Sequence, residues 1–256
     1  MYSFLHNLLR DKKDGEIFTL YNLSHFFYIA LTLSVIILLM ILLRNREKSQ
    51  KKVTRVLINI AFGAYIADFF LMPIAYGEID IEKLPFHACT AMCVMCFLSH
   101  RVPFLEKYKS SFAMLGFISN FIYLIYPAGV MWHAVHPTSY RVIQTLLFHS
   151  IMTVYCFLSL VYDELKMNVK RSCRDLITLS ALTAWATLGN YVYNGSVGEY
   201  SHFFNWFFVV RDPFYIIPEA IAPFVMPFLN VILFFSVATA VRFALSCFNK
   251  NSNFLH

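Results

Sequence analysis

Charge is what this sequence is short of. Only 14% of its 256 residues are charged, against about 25% in soluble domains. What fills the gap is 59% hydrophobic and 18% aromatic, with a mean hydropathy of +0.59. Such a balance, with long apolar runs, excludes an ordinary soluble domain and places the chain among polytopic membrane proteins. Glycine is scarce, at eight residues. There is no low-complexity tract and no internal repeat, which weighs against a transporter built from inverted halves. The first twenty residues carry Arg10, Asp11, Lys12, Lys13 and Asp14 in place of a charged start followed by an apolar run, so no cleavable signal peptide is expected. The six cysteines (89, 93, 96, 156, 173 and 247) fall mostly in apolar segments. That is wrong for a disulfide framework, and no pair has zinc-ribbon spacing. No metal and no other cofactor is expected. Cys89, Cys93 and Cys96 share one helical face, where Cys93 and Cys96 read as small packing residues.

The apolar runs predict an all-α bundle of seven transmembrane helices forming one domain over 1–256. The spans cover about 24–43, 53–76, 84–103, 110–127, 140–162, 173–194 and 214–247. Ser24 or Asn22 suits the N-cap of the first. Pro85 suits the first turn of the third, where its missing N–H costs nothing. Pro218, Pro223 and Pro227 are expected to kink the first half of the seventh. An acidic loop with Glu78, Asp80 and Glu82 precedes the third span. Residues 195–213, with Tyr200, Phe203, Phe204, Trp206, Phe207 and Phe208, are too apolar for a plain loop and read as an interfacial or re-entrant lid.

The net charge of +6 reports topology and not a nucleic-acid partner. The segments Arg44–Arg55, Arg101–Lys109 and Lys166–Arg174, with Arg242 and Lys250, hold fifteen of the twenty-one basic residues, and all follow odd-numbered spans. The positive-inside rule then puts the N-terminus outside and the C-terminus in the cytoplasm. The chain is expected to be integral in the cell membrane, with no nucleic-acid partner; the sequence does not set an oligomeric state.

This topology gives each polar residue a depth. At 1.5 Å per residue, His87 and Cys89 lie roughly 5–8 Å below the outer edge, Asp68 roughly 12 Å and His149 roughly 13 Å. His25, Asn120, Asn190 and Glu219 fall in the same outer half, whereas His100 lies at the cytoplasmic end. Polar groups at a shared depth are costly in lipid, which predicts one internal cavity open to the outer side. Asn120 and Asn190 also fit plain interhelical hydrogen bonding, His25 a simple cap or interfacial anchor, and Asp68 and Glu219 a structural ion pair with a histidine.

The stretch Leu84-Pro85-Phe86-His87-Ala88-Cys89-Thr90 is the centre of this group. It sets an imidazole, a thiol and a hydroxyl at the start of an apolar helix, whose positive end favours a thiolate. On a regular helix His87 and Cys89 point about 200° apart. A Cys89 nucleophile therefore needs its base from another helix, with His149 the best candidate. Thr90, which shares a face with His87, is the alternative nucleophile. Asn190, or a backbone N–H at the helix start, would supply the oxyanion donor.

Ser24-His25, the 84–89 stretch, His149 and Gly189-Asn190-Tyr191-Val192-Tyr193 together resemble the YwaF-type bacterial integral membrane family. That family is similar to a vertebrate transmembrane acyltransferase acting on ether phospholipids. It is more remotely similar to the androgen-induced membrane hydrolases, which use a threonine and a histidine on fatty-acid esters. The resemblance implies the seven-span fold, the bacterial inner membrane, a phospholipid substrate, Cys89 as the acyl-carrying nucleophile and His149 as general base. His87, His25, Asp68, Asn190 and Glu219 would line the substrate site. Two other readings use the same residues. A metal-dependent lipid hydrolase would recruit His25, His87 and His149 with Asp68 or Glu219, and a transporter or lipid-binding protein would use the cavity without covalent chemistry.

Overall fold

A computed structural model of the chain describes residues 2–12, 15–77, 80–131, 133–162, 169–196 and 204–251. Lys13, Asp14, Glu78 and Lys166 lie outside the described residues, as does the 197–203 part of the expected lid with Tyr200 and Phe203. Among the described residues the regular structure is helical: α1 Tyr2–Leu9, α2 Leu23–Leu43, α3 Glu47–Tyr76, α4 Ala88–Ser99, α5 Pro103–Glu106, α6 Lys109–Ile125, α7 Ala128–Met131, α8 Tyr140–Tyr162, α9 Val169–Ser196 and α10 Ala222–Asn251.

Among the described residues five stretches are long and apolar enough to cross a membrane: Leu23–Leu43, Glu47–Tyr76, Lys109–Met131, Tyr140–Tyr162 and Ala222–Cys247. The other two expected spans differ. The third was expected from Leu84, but α4 starts at Ala88 and has 12 residues, about 18 Å of helix against the ~30 Å of bilayer hydrocarbon. Its start is delayed because Leu84 to His87 form a turn, with Leu84 N–H bonded to Ile81 O and Phe86 N–H to Leu84 O. The sixth, α9, has 28 residues but opens with Lys170, Arg171, Arg174 and Asp175. The seventh begins at Ala222 and not Phe214, so Pro218 precedes the helix, Pro223 falls in its first turn and Pro227 lies inside it.

The chain divides into two compact units, 1–80 with 116–164 and 81–115 with 165–251. In the first unit α8 is the central helix, with 78% of its span buried against 17% for α2, and it packs on both α3 and α2. Apolar contact is made by Ile36 with Val154 and Leu158. Between helices in lipid, polar contacts and close packing replace the hydrophobic drive. The Thr32 and Ser150 hydroxyls accordingly share a hydrogen bond at 2.8 Å, worth about 0.6–2 kcal/mol. Two caps define this unit's long helices. Asn22 accepts the His25 N–H at the start of α2. Gly77, at φ 82°, closes α3 by donating its N–H to Pro73 O, a left-handed cap that glycine takes without strain.

In the second unit α9 packs on α10, and a buried ion pair, Arg242 with Asp175, joins them. The described part of the expected lid, 204–213, is a strap fixed to these helices by asparagines. Asn190 and Asn194 of α9 each bond both the N–H and the C=O of one strap residue, Trp206 and Phe204 respectively. Asn230 of α10 donates to the carbonyls of Phe207 and Phe208. Asn205 closes the strap on Val210 and Arg211. Buried irregular backbone must have its polar groups satisfied, and the four asparagines do this. The strap even holds Phe207 and Phe208 at positive φ, 56° and 52°.

Candidate active site

Cys89 sits in the first turn of α4 behind His87, which is the N-cap residue with extended backbone and no side-chain cap bond. The N–H groups of Ala88, Cys89 and Thr90 fall in the turn that has no intrahelical acceptor, and those of Cys89 and Thr90 lie against the Cys89 sulfur. Cys89 is partly exposed, whereas Cys93 and Cys96 on the same face are fully buried, as small packing residues should be. Because His87 lies outside the regular helix, the angular argument that separated it from Cys89 does not govern it. Thr90 is buried, and its hydroxyl turns back to donate to His87 O at 3.1 Å.

The turn before α4 is held by α9. Trp185 donates its indole N–H to Pro85 O at 2.7 Å. Its ring stacks on Phe86 at 4.9 Å, and Trp206 covers Phe86 at 4.9 Å. Asn190 holds the Trp206 backbone, and its two amide hydrogens go to Ala186 O and Trp206 O. An amide has two donors, so both are committed, one to the backbone of α9 itself and one to the strap.

In the first unit, His149 is buried on α8 and Asn120 on α6, 2.7 Å apart through Nδ1 and Oδ1. The Asn120 amide nitrogen donates to Gly116 O, which fixes the amide orientation and leaves Oδ1 to accept. His149 therefore carries its proton on Nδ1, and Nε2 is the basic nitrogen of the neutral ring. Tyr123 stacks on the imidazole at 3.9 Å. His25 is different: Nδ1 accepts the Tyr21 N–H and Nε2 donates to Leu124 O. Both nitrogens are engaged in tying the start of α2 to α6. Asp68, buried in α3, accepts from the Tyr140 hydroxyl at 2.8 Å. Beside the start of α8, Asp11 accepts from Tyr76 and pairs with Arg141.

Glu219, expected at depth, lies in the turn before α10, exposed and paired with Arg211 at 3.1 Å; its place outside the span follows from the later start of that helix. His25, Asp68 and His149 thus belong to the first unit, and His87, Cys89, Thr90, Asn190 and Glu219 to the second. Among the described residues no three His, Cys, Asp or Glu side chains are grouped to hold a metal ion. Sequence reasoning passed over Tyr140, Trp185 and the asparagine strap; the clustering of Asn190, Asn194, Asn205 and Asn230 around an aromatic run was the available signal for the last.

A model of the TMEM164 family, a family of transmembrane proteins, matches residues 20–246. The chain belongs to the TMEM164 family. No curated protein and no solved structure matches it. The matched stretch of this TMEM164-family chain contains every candidate residue from His25 to Glu219. With five helices fit to cross a membrane, the chain is a multi-pass membrane protein.

Proposed function

We propose that this membrane protein modifies phospholipids by acyl transfer or ester hydrolysis, with Cys89 as nucleophile and His149 as proton carrier. The observation that carries the reading is the setting of Cys89, a partly exposed thiol in the first turn of α4, where the backbone N–H groups have no intrahelical acceptor. Thr90 is the weaker nucleophile, because it is buried and its hydroxyl is committed to His87 O. The proton on His149 Nδ1, set by Asn120, suits Nε2 to the role of base. Asn190, Asp68, His25, His87 and Glu219 are assigned to substrate binding.

In the first step the thiolate attacks the ester carbonyl of the phospholipid and a C–S bond forms. The oxyanion is held by N–H groups at the start of α4. The C–O bond then breaks, and the leaving alcohol takes a proton from the imidazolium. In the second step a lysophospholipid hydroxyl, or water, attacks the thioester, the imidazole takes the proton and the thiolate departs. The seven-span topology, external N-terminus and cytoplasmic C-terminus belong to the same proposal, with 84–103 and 173–194 added to the five long spans.

The test is acyl-enzyme trapping on protein reconstituted with a phospholipid carrying a labelled acyl chain. A hydroxylamine-labile label on Cys89 is expected, lost in Cys89→Ala and retained in Thr90→Ala. The reading is overturned if no phospholipid labels the wild type, or if Cys89→Ala is fully active.

A further inference from the structure

The residues that hold the turn before Cys89 form one strip of α9. Trp185, Gly189 and Tyr193 are spaced by four and so share a helix face, and all three meet Phe86. Trp185 stacks on the Phe86 ring and bonds the carbonyl of the preceding residue, Pro85. Gly189 is where that ring reaches the helix backbone. A Cβ at position 189 would lie 2.4 Å from Phe86 Cδ1 and 2.6 Å from Cε1 and Cγ, inside the contact limit of a rigid ring. Phe86 cannot swing away, because Trp206 covers it at 4.9 Å and Tyr193 meets it at 6.0 Å. Trp206 is locked in turn by Asn190.

The neighbouring strip of α9 has another task. Asn190 and Asn194 hold the strap, and Ala186 O accepts the second Asn190 amide hydrogen. The Gly189-Asn190 pair therefore sets two things at once: the glycine admits Phe86, and the asparagine fixes the ring that covers it. Only His87 and Ala88 separate Phe86 from Cys89, so the position of the ring sets where the first turn of α4 begins and where its N–H groups point relative to the thiol.

We propose that Trp185 and Gly189 are positioning residues for Cys89, clamping Phe86 and Pro85 so that the thiol is presented on the first turn of α4. The clamp rests on the reading of Cys89 as nucleophile for its purpose, but its geometry can be tested apart from catalysis. Neither residue touches the thiol; both act through the turn.

The experiment uses full-length protein in lipid nanodiscs with Cys93, Cys96, Cys156 and Cys173 replaced by alanine. Cys89 and the exposed Cys247 remain, the second as reference. The rate of alkylation of each thiol by iodoacetamide is followed against pH by mass spectrometry, beside acyl-enzyme formation. Trp185→Phe keeps a ring over Phe86 and deletes the bond to Pro85. One hydrogen bond at the usual net worth corresponds to a change of about two- to tenfold. Trp185→Phe is therefore expected to change the Cys89 rate at neutral pH by that factor and to shift its pH midpoint. The Cys247 profile and the thermal midpoint should stay in place. Gly189→Ala, which adds a Cβ where there is no room, is expected to change the Cys89 profile further, and Phe86→Leu in the same chain to restore part of it.

The proposal is overturned if Trp185→Phe folds with an unchanged Cys89 profile. It is equally overturned if Trp185→Phe fails to fold, since the residue is then a general fold determinant. Should Gly189→Ala not fold, Trp185→Phe decides alone. A shifted alkylation profile in a protein that forms no acyl-enzyme would sink the enzymatic reading and leave the clamp standing.

Discussion

Arg242 and Asp175 meet as a two-pronged ion pair, with Nε to Oδ2 at 2.6 Å and the second guanidinium nitrogen to Oδ1 at 2.8 Å. Both side chains are almost fully buried. Arg242 also donates to the hydroxyl and carbonyl of Ser110. Breaking one partner of such a pair strands a buried charge. Asp175→Ala should cost about 3–5 kcal/mol, read as a fall in the thermal midpoint of the purified protein. Replacing both, Arg242→Met with Asp175→Leu, should recover most of that loss. A double variant as unstable as the single would show that the charges themselves are needed.

The Asn120–His149 bond sets which imidazole nitrogen holds the proton. If the proposed chemistry is correct, His149→Ala should lower acyl transfer by about 10²–10⁴-fold. Asn120→Ala should give a smaller fall, since the base remains but its tautomer is no longer fixed. Equal rates in Asn120→Ala and wild type would remove the orienting role.

Asn190 tests the strap. Asn190→Leu leaves the N–H and C=O of buried Trp206 without their partner, at about 1–3 kcal/mol for each group. Hydrogen exchange should accelerate at the Trp206 amide first, while amides of α8 keep their protection. Asn190→Asp still accepts the Trp206 N–H but no longer donates to its carbonyl, and should be intermediate.

Asp212 gives a pH dependence. Its carboxylate accepts the N–H groups of Phe214, Ile217 and Ile216 at 2.8–2.9 Å. The Phe214 and Ile217 bonds hold its pKa below the usual carboxylate range, desolvation opposes them, and the Ile216 bond adds to them. A carboxyl depressed on folding stabilises the folded loop above its unfolded pKa, near 3.9. That stabilisation is lost as pH falls through the folded value. Exchange of the 214–217 amides should therefore rise, beyond the intrinsic pH effect, only in strongly acidic solution. In Asp212→Asn the step should vanish.

Topology is checked with accessibility tags. Tags in the 44–55 segment and at the C-terminus should be cytoplasmic, and one at residue 80 external. A tag at 80 protected on the inner side would reverse the orientation and, with it, the depth assigned to His87 and Cys89.

Composition and apolar run length were enough to establish a helical multi-pass membrane protein, because a bilayer imposes length and hydropathy on each span separately. The N-cap at Asn22 was equally legible, since capping is a local property of a few residues. The start of α4 was not. Leu84 to His87 have the apolar character of a helix, and the turn they form depends on Trp185 and Gly189, a hundred residues away in sequence. The same distance hid the tasks of the candidate residues. His25 and His149 look alike in sequence, yet one spends both ring nitrogens on tying the start of α2 to α6 and the other meets Asn120 through Nδ1. Asn190 looked like a donor for substrate, and its hydrogens go to Ala186 O in its own helix and to Trp206 O in the strap. Residue type and spacing determine what a side chain can donate or accept; only the packing of distant helices decides which partner takes the bond.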